Sequence, residues 1–268
     1  MKYGQLTVRE DWEAFPGASR KLDSYRYTCD SDLQRNVRSA LKLKSQISLT
    51  ELGCGGGGFC AFVLKLIGIG QVREVYGIDW SDELGSKFQL ENISNKIPSK
   101  FYCANLLEDS LDALSGRFDV VVSGGLVEHF VGSSFDAIVA KHCQLASSDG
   151  AVILSVPNLV GLRYLWHRLF DYDNLRIHSL DAMRPEVLVS SLRGNGLSIL
   201  LASYYGPNRI WYNSTPCDLK APLRVALRSA ISRVYNRLLA PLLNRFMVRW
   251  PSIYAPYFIV IATKQCSA

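Results

Sequence analysis

The chain has no long hydrophobic run. None of its apolar stretches approaches the ~20 residues that a spanning helix needs. The first ten residues, MKYGQLTVRE, contain no apolar core of the kind that directs secretion, so no leader is expected. The seven cysteines (29, 54, 60, 103, 143, 217, 266) form no C-x-x-C pair and no zinc spacing. Several fall in apolar segments, where a free thiol packs as a small hydrophobe, and this predicts a reducing, cytoplasmic setting. There is no internal repeat and no low-complexity tract. The stretch from Lys220 to Trp250 has no acidic residue at all.

What is present is an ordinary globular composition, with 48% apolar and 20% charged residues over 268 positions. That is enough chain to bury a single substantial core. Strand-like and helix-like patterns alternate over residues 45–205, which implies a parallel sheet with helices on both faces. A further strand is expected at Tyr257–Thr263.

The most informative segment is Glu51-Leu-Gly53-Cys54-Gly55-Gly-Gly57-Gly58. It lies between a strand-like run at 45–50 and a helix-like run from Phe59. Glycines at such a turn let the backbone bend sharply and approach a ligand, and the helix start then offers free N–H groups. Asp79 closes the next strand-like run. Gly53, Gly55 and Gly58 also fit the dinucleotide spacing G-x-G-x-x-G, with Asp79 as a ribose-binding acid. Glu51, two residues before the first glycine, separates the two possibilities. A carboxylate there repels a pyrophosphate but suits a cationic, amino-acid-bearing cofactor.

The acid–x–Gly–x–Gly–x–Gly pattern resembles motif I of the class I S-adenosylmethionine (SAM) dependent methyltransferases. The likeness covers roughly residues 45–205 and is nearest to the branch with ubiquinone-biosynthesis and sugar O-methyltransferases. It implies a doubly wound, seven-stranded, mostly parallel α/β sheet with helical lid insertions. It implies SAM as cofactor, held by Glu51, Gly53, Cys54, Gly55, Gly57, Asp79, Trp80, Asn105, Leu106, Ser123 and Gly124. Asp79 would take the ribose hydroxyls, and Trp80, Asn105 and Leu106 would frame the adenine. Asn105 stands where the family usually has Asp.

His129 and Glu128 follow the fourth strand-like run, where the methyl should point. Histidine suits general-base work on a hydroxyl acceptor, with Glu128 orienting it. The blander reading makes Glu128 a cap for a helix starting near Ser133. One Glu-His pair is too few ligands for a metal, and none is expected.

Three regions complete the reading. Residues 1–44 are an N-terminal arm that either closes over the cofactor or packs on the sheet edge; Leu33, Val37, Ala40 and Leu41 have helical spacing. Residues 159–180 are a lid, which should supply Arg163, Tyr164, His167 and His178 to a small-molecule acceptor together with Asn158 and Tyr204. The blander reading makes it a plain amphipathic helix with Leu162, Leu165, Leu169 and Phe170 as the buried face, and the two readings are compatible. Residues 206–256 are an insertion before the last strand. Within it, Lys220, Arg224, Arg228, Arg233, Arg237, Arg245 and Arg249 accompany apolar residues at helical spacing, and Pro241 should kink or break the helix. Such a helix docks on the domain, meets a membrane surface peripherally, or meets an anionic or lipid-linked acceptor. The absence of a recognisable added module argues against nucleic acid.

Overall fold

The computed structural model describes residues 31–41, 46–85, 87–88, 97–206, 229–243 and 255–264. The elements that matter are α1 (Ser31–Ala40), β1 (Ile47–Leu52), α2 (Gly58–Ile67), β2 (Val72–Asp79), β3 (Ser99–Cys103), β4 (Phe118–Gly124), α3 (Ser133–Leu145), β5 (Ala146–Pro157), α4 (Leu162–Phe170), α5 (Tyr172–Arg176), α6 (Pro185–Gly194), β6 (Leu197–Tyr205) and β7 (Tyr257–Lys264).

The seven strands form one sheet in the order β3-β2-β1-β4-β5-β7-β6. β1 to β5 pair in parallel, and β7 runs antiparallel to both β5 and β6. The central strands are buried on both faces: β4 carries the apolar run Val120–Val122, and β1 buries Ser48, Thr50 and Glu51 along with Ile47, Leu49 and Leu52. One core layer gathers Leu52, Phe118, Val121, Ile138 and Leu154; the other gathers Leu49, Phe62, Val63, Val120 and Ile259.

The chain order reverses between β1 and β4. Both strands end at the same edge, and the crevice beyond such a switch point is where doubly wound sheets bind ligands. Gly77 in β2 lets the loop after β1 lie close, because a Cβ there would meet Cys54 Sγ at 2.7 Å.

Three details differ from, or qualify, the sequence expectations. α1 packs at the far end of α2, where Gln34 Nε2 and Arg38 Nε donate to the carbonyls of Lys65 and Leu66. Residues 1–30 lie outside the described part, as do 207–228 and 244–254 and the basic residues there. Pro241 does not break its helix. Helix runs over 229–243, with a wide π turn at Tyr235–Leu239 just before the proline. A π turn loosens the ladder where proline lacks an N–H and crowds the preceding turn. The third difference is the lid. Leu165 and Leu169 point outward, while Arg163, Trp166 and His167 are buried. The plain amphipathic reading of α4 fails at Leu165 and Leu169, while Phe170 is partly buried against Trp166 and the core beside the helix accepts Arg163, Trp166 and His167.

Candidate active site

The site is built on the ends of β1, β2 and β4. After β1 the chain passes through Gly53 (φ 61°) and Gly55 (φ 49°) to Gly57 (φ 82°), which precedes α2. These are left-handed conformations that side chains disfavour. The carbonyl of Ile78 accepts the N–H groups of Gly53 (2.8 Å) and Cys54 (3.3 Å), which pins the loop to β2.

Two acids hold this loop. Glu51 Oε2 accepts the N–H of Cys60 at 3.0 Å, in the first turn of α2. A carboxylate near a helix start is favoured by the helix dipole. Asp79 Oδ2 accepts the Gly55 N–H at 2.9 Å, and its Oδ1 accepts that of Ser81 at 3.2 Å. Burial pushes the Glu51 carboxyl well up, offset by the Cys60 N–H and raised further by nearby Asp79. Burial raises Asp79 too, against the lowering N–H bonds. The same burial raises the Cys54 thiol, so Cys54 packs as an un-ionised group.

Trp80 follows Asp79, half-buried, and its carbonyl accepts from the Cys103 thiol at 3.3 Å. Asn105 sits beyond β3. Its Oδ1 accepts the Leu107 N–H at 3.0 Å in a local turn, leaving the second lone pair of that oxygen for another donor. Leu106 is buried in the core layer below. Ser123 and Gly124 end β4. Ser123 Oγ is buried without a hydrogen-bond partner. A Cβ on Gly124 would lie 2.4 Å from the Phe59 ring, so glycine is what allows α2 to start against β4.

Beyond Gly124 the chain makes a short 3₁₀ turn, Val127–His129, that buries all three of its residues. Glu128 is not the cap of α3. That helix starts after Gly132 with no side-chain cap, and neither carboxylate oxygen of Glu128 has a hydrogen-bond partner. The carboxyl leans toward Gly125, whose ideal Cβ position is 3.6 Å from Oε1. Burial pushes the Glu128 pKa up to about 8, so at neutral pH it carries its proton.

His129 Nδ1 lies 3.0 Å from the Ile177 carbonyl. A carbonyl only accepts, so Nδ1 carries the hydrogen and Nε2 is the basic nitrogen. His178 repeats the arrangement, with Nδ1 2.5 Å from the Asn174 carbonyl. The two imidazole rings lie 4.7 Å apart. The Glu128 carbonyl accepts the Ser179 N–H at 2.7 Å, so the turn after β4 and the end of the lid are fastened together. One ligand atom from each of Glu128, His129 and His178 lies within 4.8 Å of the others, a donor set that could hold a metal ion. With His178 the set exceeds the single Glu-His pair of the sequence; two His and one Glu equal the ligand count of an open zinc site, one short of a closed shell and far short of the oxygen shell of a hard cation.

The other expected acceptor residues divide. Asn158 is buried, with Nδ2 donating to the Ala255 carbonyl at 2.9 Å, so its amide ties β5 to the start of β7. Arg163 is buried in α4, where loss of solvent lowers its pKa against the raising effect of Tyr257 and Tyr235. Tyr164 packs, partly buried, on the core. His167 pairs with Asp171 at 3.2 Å along the helix. Tyr204 packs edge-on against Phe258, ring centres 5.0 Å apart.

Sequence reasoning missed Ser155 and Tyr205, whose hydroxyls are 2.5 Å apart beneath this cluster. Burial raises the Tyr205 pKa, the Ser155 bond lowers it and nearby Glu128 raises it. No linear signal marks the pair, because β7 must fold between β5 and β6 before they meet.

Comparison with known proteins agrees with this geometry. Residues 50–150 match a family model described as a methyltransferase domain. Over 169 residues the chain is 25% identical to the mitochondrial ubiquinone biosynthesis O-methyltransferase of Saccharomyces cerevisiae, covering 59% of this chain and 52% of that protein. It thus spans about half the length of that curated relative. The fold is shared with geranyl diphosphate C-methyltransferase from Streptomyces coelicolor A3(2), solved with Mg²⁺, geranyl diphosphate and S-adenosyl-L-homocysteine (TM-score 0.51, 16% identity, 88% of this chain and 77% of that one). It is shared also with a SAM dependent methyltransferase from Archaeoglobus fulgidus (TM-score 0.50, 18% identity, 86% and 94%). At these identities the likeness to the solved structures is one of fold.

Proposed function

We propose that this chain, whose residues 50–150 match a methyltransferase domain, is a class I SAM-dependent methyltransferase that methylates a hydroxyl group on a small molecule. A saccharide unit or a lipid-type quinone precursor is the acceptor class we favour, and the distant O-methyltransferase relative supports an oxygen acceptor.

The observation that carries this reading is the pair of buried acids, Glu51 and Asp79, on either side of a side-chain-free loop at the switch point. That donor set fits SAM. The diol of its ribose needs acceptors, which Asp79 supplies, and its ammonium group, placed beside Glu51, favours the carboxylate form that burial alone opposes. A dinucleotide pyrophosphate would meet two acids where it needs N–H donors and cations. Trp80, Asn105 and Leu106 frame the adenine, and Gly53, Gly55 and Gly57 keep the loop open to the methionine end. Cys54, Ser123 and Gly124 complete the floor. When bound, SAM supplies a methyl carbon activated by its sulfonium centre.

The chain's part in the chemistry is proton management and orientation. His129 Nε2 takes the proton of the acceptor hydroxyl, and the Ile177 carbonyl holds the ring in the tautomer that can do so. Glu128, protonated at neutral pH, adds no second negative charge as the acceptor oxygen becomes anionic. His178 lies against the His129 ring and can share the positive charge that develops there. Arg163, Tyr164, His167 and Tyr204 border the acceptor, and Asn158 fixes the lid's hinge. This mechanism uses no metal. The insertion at 220–250 gives the protein a peripheral contact with the inner membrane surface in the cytoplasm and favours an anionic or lipid-linked acceptor. No helix among the described residues is long and apolar enough to cross a membrane.

The test is calorimetric titration with SAM and with NAD, on the native chain and on Asp79→Ala. Micromolar SAM binding that Asp79→Ala weakens, with no response to NAD, is expected. Binding of NAD in place of SAM would overturn the reading. Incubation with SAM and a panel of phenol and saccharide acceptors, followed by mass spectrometry, then reads out transfer; His129→Ala should abolish it for hydroxyls. If His129→Ala spares transfer to a neutral amine, an N-methyltransferase is the better description.

A further inference from the structure

Two helices in this molecule carry an outward-facing row of apolar side chains. Twelve large hydrophobic side chains are exposed among the described residues, and nine of them fall in two short segments, 160–172 and 231–242. In α4 the buried positions are Arg163, Trp166 and His167, while Leu165 and Leu169, one turn apart, are 49% and 63% exposed. Helix 229–243 does the same. Its buried ridge is Ser232 and Ala240, with Asn236 between them donating to Ser232 Oγ at 3.3 Å. Its outward ridge is Val234, Leu238 and Leu242, at 55%, 61% and 53% exposure. Ordinary surface helices bury the apolar stripe and expose the polar one. Two neighbouring helices that leave these leucines and valines outward make an apolar surface that water does not favour.

The two segments belong to one region. Arg163, at the start of α4, is within electrostatic reach of Tyr235 in the second helix. Both flank the end of the sheet that carries the proposed site, since α4 follows β5 directly and is fastened through Ser179 to Glu128.

We propose that the outward faces of α4 and helix 229–243 together form a docking surface for an anionic lipid bilayer. This rests on the methyltransferase reading only in placing the surface beside the acceptor site. Charge selects the occupant. Helix 229–243 carries Arg233 and Arg237 and no acid, within a sequence stretch of seven basic residues. On the lid side, Arg168 and Arg176 face Asp171 and Asp173, of which Asp171 pairs with His167 and Asp173 with Arg176. The excess is positive and borders the leucines, which is the pattern that inserts apolar side chains below anionic headgroups. The lid is thus a membrane element as well as a cover, and an acceptor with an apolar tail would enter along it from the bilayer.

The experiment is co-sedimentation of the full chain with vesicles of phosphatidylcholine alone, or of equal parts phosphatidylcholine and phosphatidylglycerol, at low and high salt. The native chain should partition onto the anionic vesicles at least tenfold more strongly than onto the neutral ones. Leu165→Glu with Leu169→Glu should reduce that partition about tenfold, and Val234→Glu with Leu238→Glu should do likewise. Both should bind SAM as the native chain does, which shows that they fold. Arg233→Ala with Arg237→Ala leaves the apolar face intact and should weaken only the salt-sensitive part. Native SAM binding with no partition onto either vesicle overturns the proposal while leaving the methyltransferase reading in place; partition without SAM binding does the reverse. A concentration-dependent dimer that loses vesicle binding, seen by light scattering, would assign the surface to a second copy and overturn the proposal.

Discussion

Glu128 offers the sharpest quantitative test. Its carboxyl is fully buried with neither oxygen hydrogen-bonded, and burial raises its pKa from 4.5 to about 8. A group whose native pKa exceeds its unfolded value holds its proton more tightly in the fold. The stability it contributes is fully present below pH 4.5 and is lost as pH rises through 8. Each unit of difference corresponds to about 1.4 kcal/mol, so the loss reaches ~3 kcal/mol at pH 7 and ~5 kcal/mol above pH 9. Glu128→Gln keeps the shape and removes the titration. Its amide still lacks partners, but that cost does not change with pH. Urea unfolding of both proteins at pH 5, 7 and 9 should therefore show the variant gaining on the native chain by ~4 kcal/mol from pH 5 to pH 9, since about 1 kcal/mol is already lost at pH 5. Glu51 and Asp79 titrate in both proteins and cancel in the difference. A stability difference that stays flat from pH 5 to 9 would refute the reasoning, because Glu128 would then be ionised and matched by a partner.

Asp79→Asn keeps the bulk but loses the charge behind two N–H bonds. It should weaken SAM binding by ~10–100-fold, read by calorimetry, as expected for a hydrogen-bonded charge worth ~1.5–3 kcal/mol. Gly124→Ala would push a methyl into the Phe59 ring. It should cost ~1–3 kcal/mol in urea unfolding and weaken SAM binding as the first turn of α2 shifts. Prolonged EDTA treatment should leave methyl transfer unchanged; loss of activity restored by a divalent ion would instead assign Glu128, His129 and His178 as its ligands.

Much of this protein is local, and local features are legible in a linear chain. The Gly-rich turn, the acids Glu51 and Asp79, and the apolar strand runs each lie within a few residues of one another. Their consequences follow from backbone sterics and burial of central strands. The mostly parallel α/β sheet and the glycine turn after β1 were therefore readable, with Gly53, Gly55 and Gly57 adopting conformations that side chains resist. His129 could be proposed as a base from its place after a strand, but which ring nitrogen carries its hydrogen could not be read, because Ile177 is 48 residues away.

Amphipathic periodicity marks which helix positions are apolar but carries no sign for which face turns inward. In α4 and in helix 229–243 that sign depends on the partners the fold supplies, and there the core accepted arginine, histidine and serine while the leucines faced out. The meeting of His178 with His129 and of Tyr205 with Ser155 has the same origin. Each joins segments that become neighbours only when β4, β5 and β6 are laid into one sheet, with β7 between the last two. The glycine loop after β1 is written in consecutive residues; the unpartnered state of Glu128, and with it the proton it keeps, comes from the packing of distant ones.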